Sequence, residues 1–419
     1  MRFVRNFKQS KSDNPLAFVR AKPMRVLPSA LTLIVLLGQS SAARTQERDQ
    51  DEKTAVLALL ELGAKVHVDN DAPGKPVRGV DLSFNPDVSD AALAVLKKLT
   101  RIKSIDLNQT LVGDKTLAHL KGLSELEFLN LYHTQITDAG LENLKGLTNL
   151  RYLFLGGTAV TDEGLDQLKA LPNLENLVLL DTAITDKGME KLKGLTKLKV
   201  LFLSSTAVTD KGLEHVKGMT GLQTLNLFQT QITDEGLKHV RGLTRLEFLN
   251  VGGTKVTDAG IDHVKQLANL QTLGLDRTGI TDGAMEGIRE LTNLKELTIN
   301  HTDVTDKGLE RISRLTGLTV LGIGTRGITD KGLQHLRRMS KLETLILLNS
   351  TVTDKGLEHL AGLDKLKYLN LTFTKVSGDG LKQLKKMKNI EEIRVQFTAI
   401  TDADVADFKE ARPFVVIVR

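Results

Sequence analysis

The sequence contains no cysteine and no tryptophan in 419 residues, and aromatic side chains make up only 4% of it. Without cysteine there are no disulfide staples, no thiolate metal site and no cysteine nucleophile. With so few aromatics, the core has to be aliphatic, although the hydrophobic fraction of 41% is ordinary for a folded chain. The longest apolar run, Val26 to Leu37, is 12 residues, against the roughly 20 needed to span a bilayer as a helix. No phosphate-binding loop, zinc-protease helix motif or nucleophile elbow occurs.

The formal charge of +6 raises the question of a nucleic-acid partner. The excess sits at the N-terminus, where residues 1–43 hold Arg2, Arg5, Lys8, Lys11, Arg20, Lys22 and Arg25 against the single acid Asp13. The remainder carries 50 basic and 50 acidic side chains, so the folded part lacks the basic footprint that DNA or RNA binding needs. The N-terminal pattern reads as an export leader: a basic segment, the apolar run, then Ser41 and Ala43 as small residues before Arg44. Met24 is an alternative start, and an uncleaved anchor is the alternative to cleavage. No cysteine follows the run, which excludes a lipoprotein anchor.

From Ile102 onward the sequence repeats every 24 residues without insertion. An aspartate recurs at that interval from Asp90 to Asp354 and again at Asp402, with Gly378 as the one failure, which places fourteen coils in register. In the unit opening at Leu150, Leu153 and Leu155 alternate with Tyr152, Phe154 and Gly156, the period of a strand buried on one face. Leu165, Leu168 and Leu171 follow at helical spacing. Each coil is therefore predicted as strand, turn and helix. Thr137 is placed to cap a helix and Asp138 to complement its dipole, with Ile136 and Leu141 as a hydrophobic staple and Lys145-Gly146 as a left-handed C-terminal cap. A threonine at each strand exit, from Thr110 to Thr302 and at Thr374 and Thr398, is expected to bond backbone groups of adjacent turns. Arg326 and Ser350 interrupt this row, and Thr325 appears one place early, so an irregularity is expected there.

These units, L-x-x-L-x-L-x-x-T-x-(I/V)-T-D-x-G-L, resemble the leucine-rich-repeat superfamily over roughly residues 77–419, with threonine in place of the usual asparagine or cysteine. The resemblance implies a right-handed α/β solenoid, the leucine-rich-repeat horseshoe, with a parallel sheet on the concave face and helices on the convex face. Strand spacing of about 4.8 Å against helix spacing of about 8 to 10 Å requires that curvature. Residues 44–76 read as an N-terminal cap with a helix at Glu52–Leu62 and a strand at Ala64–Val68. The solenoid then fills 77–411, and 412–419 form a closing strand.

Function is expected on the concave wall, formed by the residues between and just after the strand leucines. Phe128, Tyr132, Tyr152, Phe154, Phe202, Phe228 and Phe248, with Val178 and Leu180 between them, make an apolar strip there, and Tyr368, Phe373 and Phe397 also fall on the wall. Such a strip marks a contact surface; the alternative is packing between neighbouring strands that only stabilises the sheet. Gly156, Gly157, Gly252 and Gly253 beside the aromatics offer shallow pockets or else serve turn geometry. A second, polar patch comprises Asp276, Arg277, Glu296, Asn300, His301 and Asp303.

An open groove excludes water poorly, so the chain reads as a non-enzymatic scaffold without cofactor. The expected partner is a protein or peptide. The alternative is an acidic glycan or other polyanion on the convex row of basic residues near the helix ends, Lys97 to Lys409. That row also serves as dipole complementation. His119, His215, His239, His263, His335 and His359 share one helix position but lie too far apart between coils for a routine metal ladder.

Overall fold

The computed structural model describes residues 43–419. Residues 1–42, which hold all but the last residue of the expected leader, lie outside this range, and the expected cleavage site before Arg44 falls at its edge. The chain divides into two compact units, residues 1–182 and 183–419.

In the described part of the first unit, a helix at Ala43–Glu61 precedes strands β1 (Lys65–Val68), β2 (Val77–Asp81), β3 (Ser104–Asp106), β4 (Phe128–Asn130), β5 (Tyr152–Phe154) and β6 (Asn176–Val178). The helix starts well before Glu52 because its first turns are polar and carry no apolar periodicity to betray them. β1 runs antiparallel to β2, and from β2 to β6 every pairing is parallel. Phe128 faces Tyr152 and Tyr152 faces Asn176, an offset of one repeat.

The second unit holds β7 (Val200–Phe202), β8 (Thr224–Asn226), β9 (Phe248–Asn250), β10 (Thr272–Gly274), β11 (Glu296–Thr298), β12 (Val320–Gly322), β13 (Thr344–Ile346), β14 (Tyr368–Asn370), β15 (Glu392–Arg394) and β16 (Val416–Val418). All are paired in parallel in chain order, again one repeat apart. In both units the fold is an α/β solenoid: short strands stack on one side and short helices on the other, with the leucines between them. Leu129, Leu153, Leu201 and Leu225, the middle residues of their strands, are completely buried, as are Leu165, Leu168 and Leu213 on the helices.

Many helices are a single α-turn tightening into a 3-10 turn, as at Asp210–Leu213 followed by Glu214–Gly218. A helix of four residues is unstable alone, and what holds it is a contact to the next coil. Thr233 donates its backbone N–H to Asp210 Oδ1 at 2.8 Å and its hydroxyl to Asp210 Oδ2 at 2.7 Å. The same hydroxyl accepts the Glu235 N–H at 3.2 Å, which caps its own helix. One threonine therefore uses donor and acceptor together. The pattern recurs from Asp114 with Thr137 to Asp138 with Thr161, and again from Asp186 with Thr209 to Asp354 with Ser377. The aspartates do occupy the first helical turn, but their carboxylates are spent on the neighbouring coil.

This clamp explains the glycine two residues after most of these aspartates. A Cβ on Gly212 would stand 2.5 Å from Asp186 Oδ1, and one on Gly260 2.5 Å from Asp234 Oδ1, so the helix can approach the carboxylate only without a side chain. Where the aspartate fails, at Gly378, the next coil supplies its own: Asp404 Oδ2 accepts the Thr401 N–H at 2.8 Å and hydroxyl at 2.6 Å, in the space that a Gly378 side chain would fill.

Two local expectations change and one holds. The strand-exit threonines do not bridge turns; each hydroxyl donates to the carbonyl three residues earlier in its own coil, as Thr134 does to Leu131 at 2.6 Å and Thr230 to Leu227 at 2.7 Å. The i−3 carbonyl lies within reach of a short side chain at a tight turn, so the local bond wins. Gly146 does not adopt the left-handed cap; in that column only Gly122 has a positive φ, of 94°. The irregularity at Thr325 is present, and there the hydroxyl does reach an adjacent coil, donating to the Val304 carbonyl at 3.0 Å.

The clamp makes a quantitative demand. Asp210→Ala should leave the part-buried Thr233 N–H and hydroxyl unpaired and cost about 1–3 kcal/mol in urea unfolding of the full chain, and Gly236→Ala, which drives a methyl into Asp210, should cost a similar amount. Losses below the scatter of surface mutants would remove the clamp from its structural role.

Candidate functional site

The outer face of the sheet is formed by the first and third residues of each strand, because the middle residue points into the core. In the first unit, Phe128 packs edge-on against Phe154 with ring centroids 5.4 Å apart and lies 6.2 Å from Tyr152. The Arg151 guanidinium sits 5.6 Å from the Tyr152 ring centre and pairs with Glu175 at 3.0 Å. Tyr132 lies 4.2 Å from the His133 ring. Burial, with Asp181 nearby, raises the Tyr132 phenol above its ordinary pKa. Phe128, Tyr132, Tyr152 and Leu180 are half-buried, whereas Phe154 is only 2% exposed and Val178 is buried. The glycines here are not pockets: a Cβ on Gly156 would strike Tyr132 Cδ2 at 2.9 Å, and the His133 ring occupies the space over Gly157.

In the second unit, Phe202 and Phe248 lie 6.5 Å apart and both are 3% exposed, while Phe228 is half-buried. Phe228 covers Gly252, and Gln229 covers Gly253. Aromatics on the outward face are thus largely closed over by their own neighbours, since adjacent strands are near enough for large side chains to cover one another.

Of the polar patch, Asn300 and Asp276 are tied together and to the backbone. Asp276 Oδ1 accepts the Asn300 N–H at 2.6 Å and its side-chain amide at 2.9 Å, and Asn300 Oδ1 accepts the Gly324 N–H at 2.8 Å. Arg277, His301 and Asp303 are exposed. Partial burial and the neighbouring Arg277 hold the His301 ring below the ordinary histidine pKa. Burial raises the Glu296 carboxyl, opposed by a hydrogen bond with Thr272 and by Lys295. No group of three or more His, Cys, Asp and Glu able to hold a metal ion occurs among the described residues.

A row that the sequence pattern did not disclose runs along the strand exits. In the first unit Phe84, Gln109, His133 and Asp181 have φ of 61°, 55°, 52° and 56°; in the second, Ser205, Gln229, Arg277, His301, Asn349, Phe373 and Phe397 fall between 55° and 60°. Gly157 and Gly253 occupy the same column at 66° and 69° and were the only available signal. In some coils the strand's last residue is an asparagine that bonds the chain entering this turn: Asn130 Oδ1 accepts the Tyr132 N–H at 3.1 Å and Asn226 Oδ1 the Phe228 N–H at 3.1 Å. Phe373 and Phe397 stack face to face at 4.3 Å and remain 55% and 74% exposed.

Four stretches, residues 124–145, 219–239, 290–313 and 364–385, match the Leucine Rich repeat family model. The chain belongs to the leucine-rich-repeat superfamily. A search of curated protein sequences returns no match. Among solved structures this leucine-rich-repeat protein is similar to an internalin from Listeria monocytogenes, with 23% identity, a TM-score of 0.61 and coverage of 82% of this chain and 95% of the internalin. It is also similar to a leucine-rich-repeat protein of Leptospira interrogans, at 18% identity and TM-score 0.50, covering 81% and 95% of the two chains. A TDR receptor aligns at 14% identity and TM-score 0.52, over 82% of this chain and 67% of the receptor. At these identities the likeness is one of fold. The leucine-rich-repeat fold commonly mediates protein–protein interaction through its extended surfaces. Among the described residues no helix is long and apolar enough to cross a membrane.

The His301 environment can be read by NMR. Its midpoint should lie below that of a solvated histidine, and Arg277→Gln should move it part of the way back. Because the folded-state value is depressed, unfolding takes up a proton as pH falls through about 6.5, so His301 lowers stability on acidification rather than raising it. An unshifted midpoint in both proteins would show that neither burial nor Arg277 acts on the ring.

Proposed function

We propose that this chain is an exported, non-enzymatic scaffold that docks a partner protein or peptide on the sheet side. The observation that carries the reading is the exposed row of side chains held at positive φ. A non-glycine residue in that region costs about 1 kcal/mol relative to glycine, and Gly157 and Gly253 show that glycine is accepted in the column. Side chains such as Gln109, Asp181 and Arg277 are exposed, so burial repays little of their strain. Contact with a partner would.

The half-buried aromatics supply the apolar part of such a surface: Phe128, Tyr132, Tyr152 and Leu180 in the first unit, and Phe228 in the second. Phe154, Val178, Phe202 and Phe248 are buried, and Phe154 packs edge-on against Phe128, so their role in docking is as support. In the second unit the surface continues through Asp276, Arg277, Glu296, Asn300 and His301 to the Phe373–Phe397 stack. The basic-apolar segment before Arg44 supports export of the chain.

A polyanion lying along the whole basic row is the weaker reading. Lys169, Lys193, Lys217, Lys265 and Arg289 each pair with a carboxylate three residues earlier, which neutralises part of the track.

The test is affinity capture from a native envelope fraction, with binding then measured on the purified partner. Arg277→Gly, His301→Gly and Phe397→Gly should each leave the thermal midpoint unchanged or raise it, while Phe128→Ala with Tyr152→Ala, or Phe373→Gly with Phe397→Gly, should weaken binding by roughly tenfold or more. Loss of more than about 1 kcal/mol of stability in the glycine variants, or binding retained by both double variants, would move the contact elsewhere.

A further inference from the structure

The chain has three tyrosines, and two of them hold an arginine. The Arg151 guanidinium lies 5.6 Å from the Tyr152 ring centre and pairs with Glu175 at 3.0 Å. The Arg394 guanidinium lies 5.5 Å from the Tyr368 ring centre and pairs with Glu392 at 2.8 Å. Ring, guanidinium and carboxylate thus recur as a set, in which the ring face attracts the cation and the acid fixes it. Tyr132 has the ring and the acid without the cation. Its acid is Asp181, near enough to add to burial in raising the phenol's pKa. The coil between them permits the approach: a Cβ on Gly156 would stand 2.9 Å from Tyr132 Cδ2 and 3.0 Å from Leu180 Cγ, so side chains of the coils before and after close over a glycine. Asp181 is exposed, sits at φ 56° and has no ion pair or side-chain hydrogen bond among the described residues. No base stands in the same turns: across the strand exits at 107–110, 131–134, 155–158 and 179–182, Asp181 is the only Asp, Glu, Lys or Arg.

We infer that the partner protein supplies the missing cation, an arginine side chain that lies against the Tyr132 ring and pairs with Asp181. The inference rests on the sheet-side docking proposed above and names the chemistry recognised in the first unit. Arginine fits better than lysine because a planar guanidinium stacks on a ring and offers a carboxylate two parallel N–H donors, whereas an ammonium is a point charge. Both sets that the chain completes for itself use arginine. The half-buried Leu180 beside Asp181 gives the apolar stem of that arginine a surface to lie on. An acidic partner segment would meet Asp181 as a like charge, and an apolar one would bury the carboxylate unpaired, which is costly.

The experiment is NMR of the full chain carrying ring-labelled tyrosine, with the signals assigned through Tyr132→Phe, Tyr152→Phe and Tyr368→Phe. The probes are acetyl-arginine amide, acetyl-lysine amide and acetyl-citrulline amide, the last having nearly the shape of arginine without its charge. The Tyr132 signal should shift saturably with the arginine probe, more weakly with lysine and not with citrulline. The Tyr152 and Tyr368 signals, whose rings already hold a guanidinium, should move little. Asp181→Asn, a change at an exposed side chain, should weaken the arginine probe by about fivefold or more, whereas Asp87→Asn, at an exposed acid outside these turns, should leave it unchanged. A Tyr132 signal indifferent to the arginine probe, lysine or citrulline binding as tightly as arginine, or full binding in Asp181→Asn would overturn the inference. None of these measurements uses the partner, so such a result leaves the docking reading to be decided by capture of that partner.

Discussion

The interaction on which the structure depends is the clamp between an aspartate at the start of one helix and the threonine that caps the next. Leucine burial supplies most of the driving force for stacking, but it is non-directional and would tolerate sliding or rotation of one coil over another. The clamp is directional. Each carboxylate takes a backbone N–H and a hydroxyl from the neighbouring coil, and the hydroxyl that it holds is thereby aimed at its own helix's free N–H. Helices of one turn, too short to persist alone, are fixed coil by coil in this way. The glycine two residues on, present in most coils, gives the carboxylate room to approach the next helix, and Gly378 with Asp404 shows the same geometry rebuilt from the other side when the aspartate is missing.

That rigid frame leaves two kinds of position exposed. On the sheet side, the turn after each strand forces one residue into a left-handed conformation whatever its identity. The chain mostly places there polar or aromatic side chains rather than the glycine that would relieve the strain. On the helix side, the last turn carries a cation that in several coils pairs with an acid three residues earlier, as Lys169 does with Asp166 and Lys217 with Glu214.

Much of this was legible in the repeats. Period two around Leu153 and Leu155 and helical spacing through Leu165, Leu168 and Leu171 located the strands, helices and core, because burial on one face leaves its signature in spacing. The capping threonines were legible from their place before an aspartate and glycine. The destination of the aspartate carboxylate was not, since a helix dipole and a neighbouring coil both attract a negative charge and only the distance between coils decides. Nor could the exposure of the aromatics be read: Phe154 and Phe128 occupy alternate outward positions on adjacent strands, yet one is buried beneath the other.

The sequence by itself determined the solenoid, its repeat interval and its aliphatic core, because hydrophobic periodicity and the regular recurrence of leucine, threonine, aspartate and glycine are properties of the chain in one dimension. Tertiary structure alone decided which outward side chains remain accessible, which backbone positions are strained and which charges go unpaired. Those depend on what the next coil places a few ångströms away, and that neighbour lies one full repeat away along the chain.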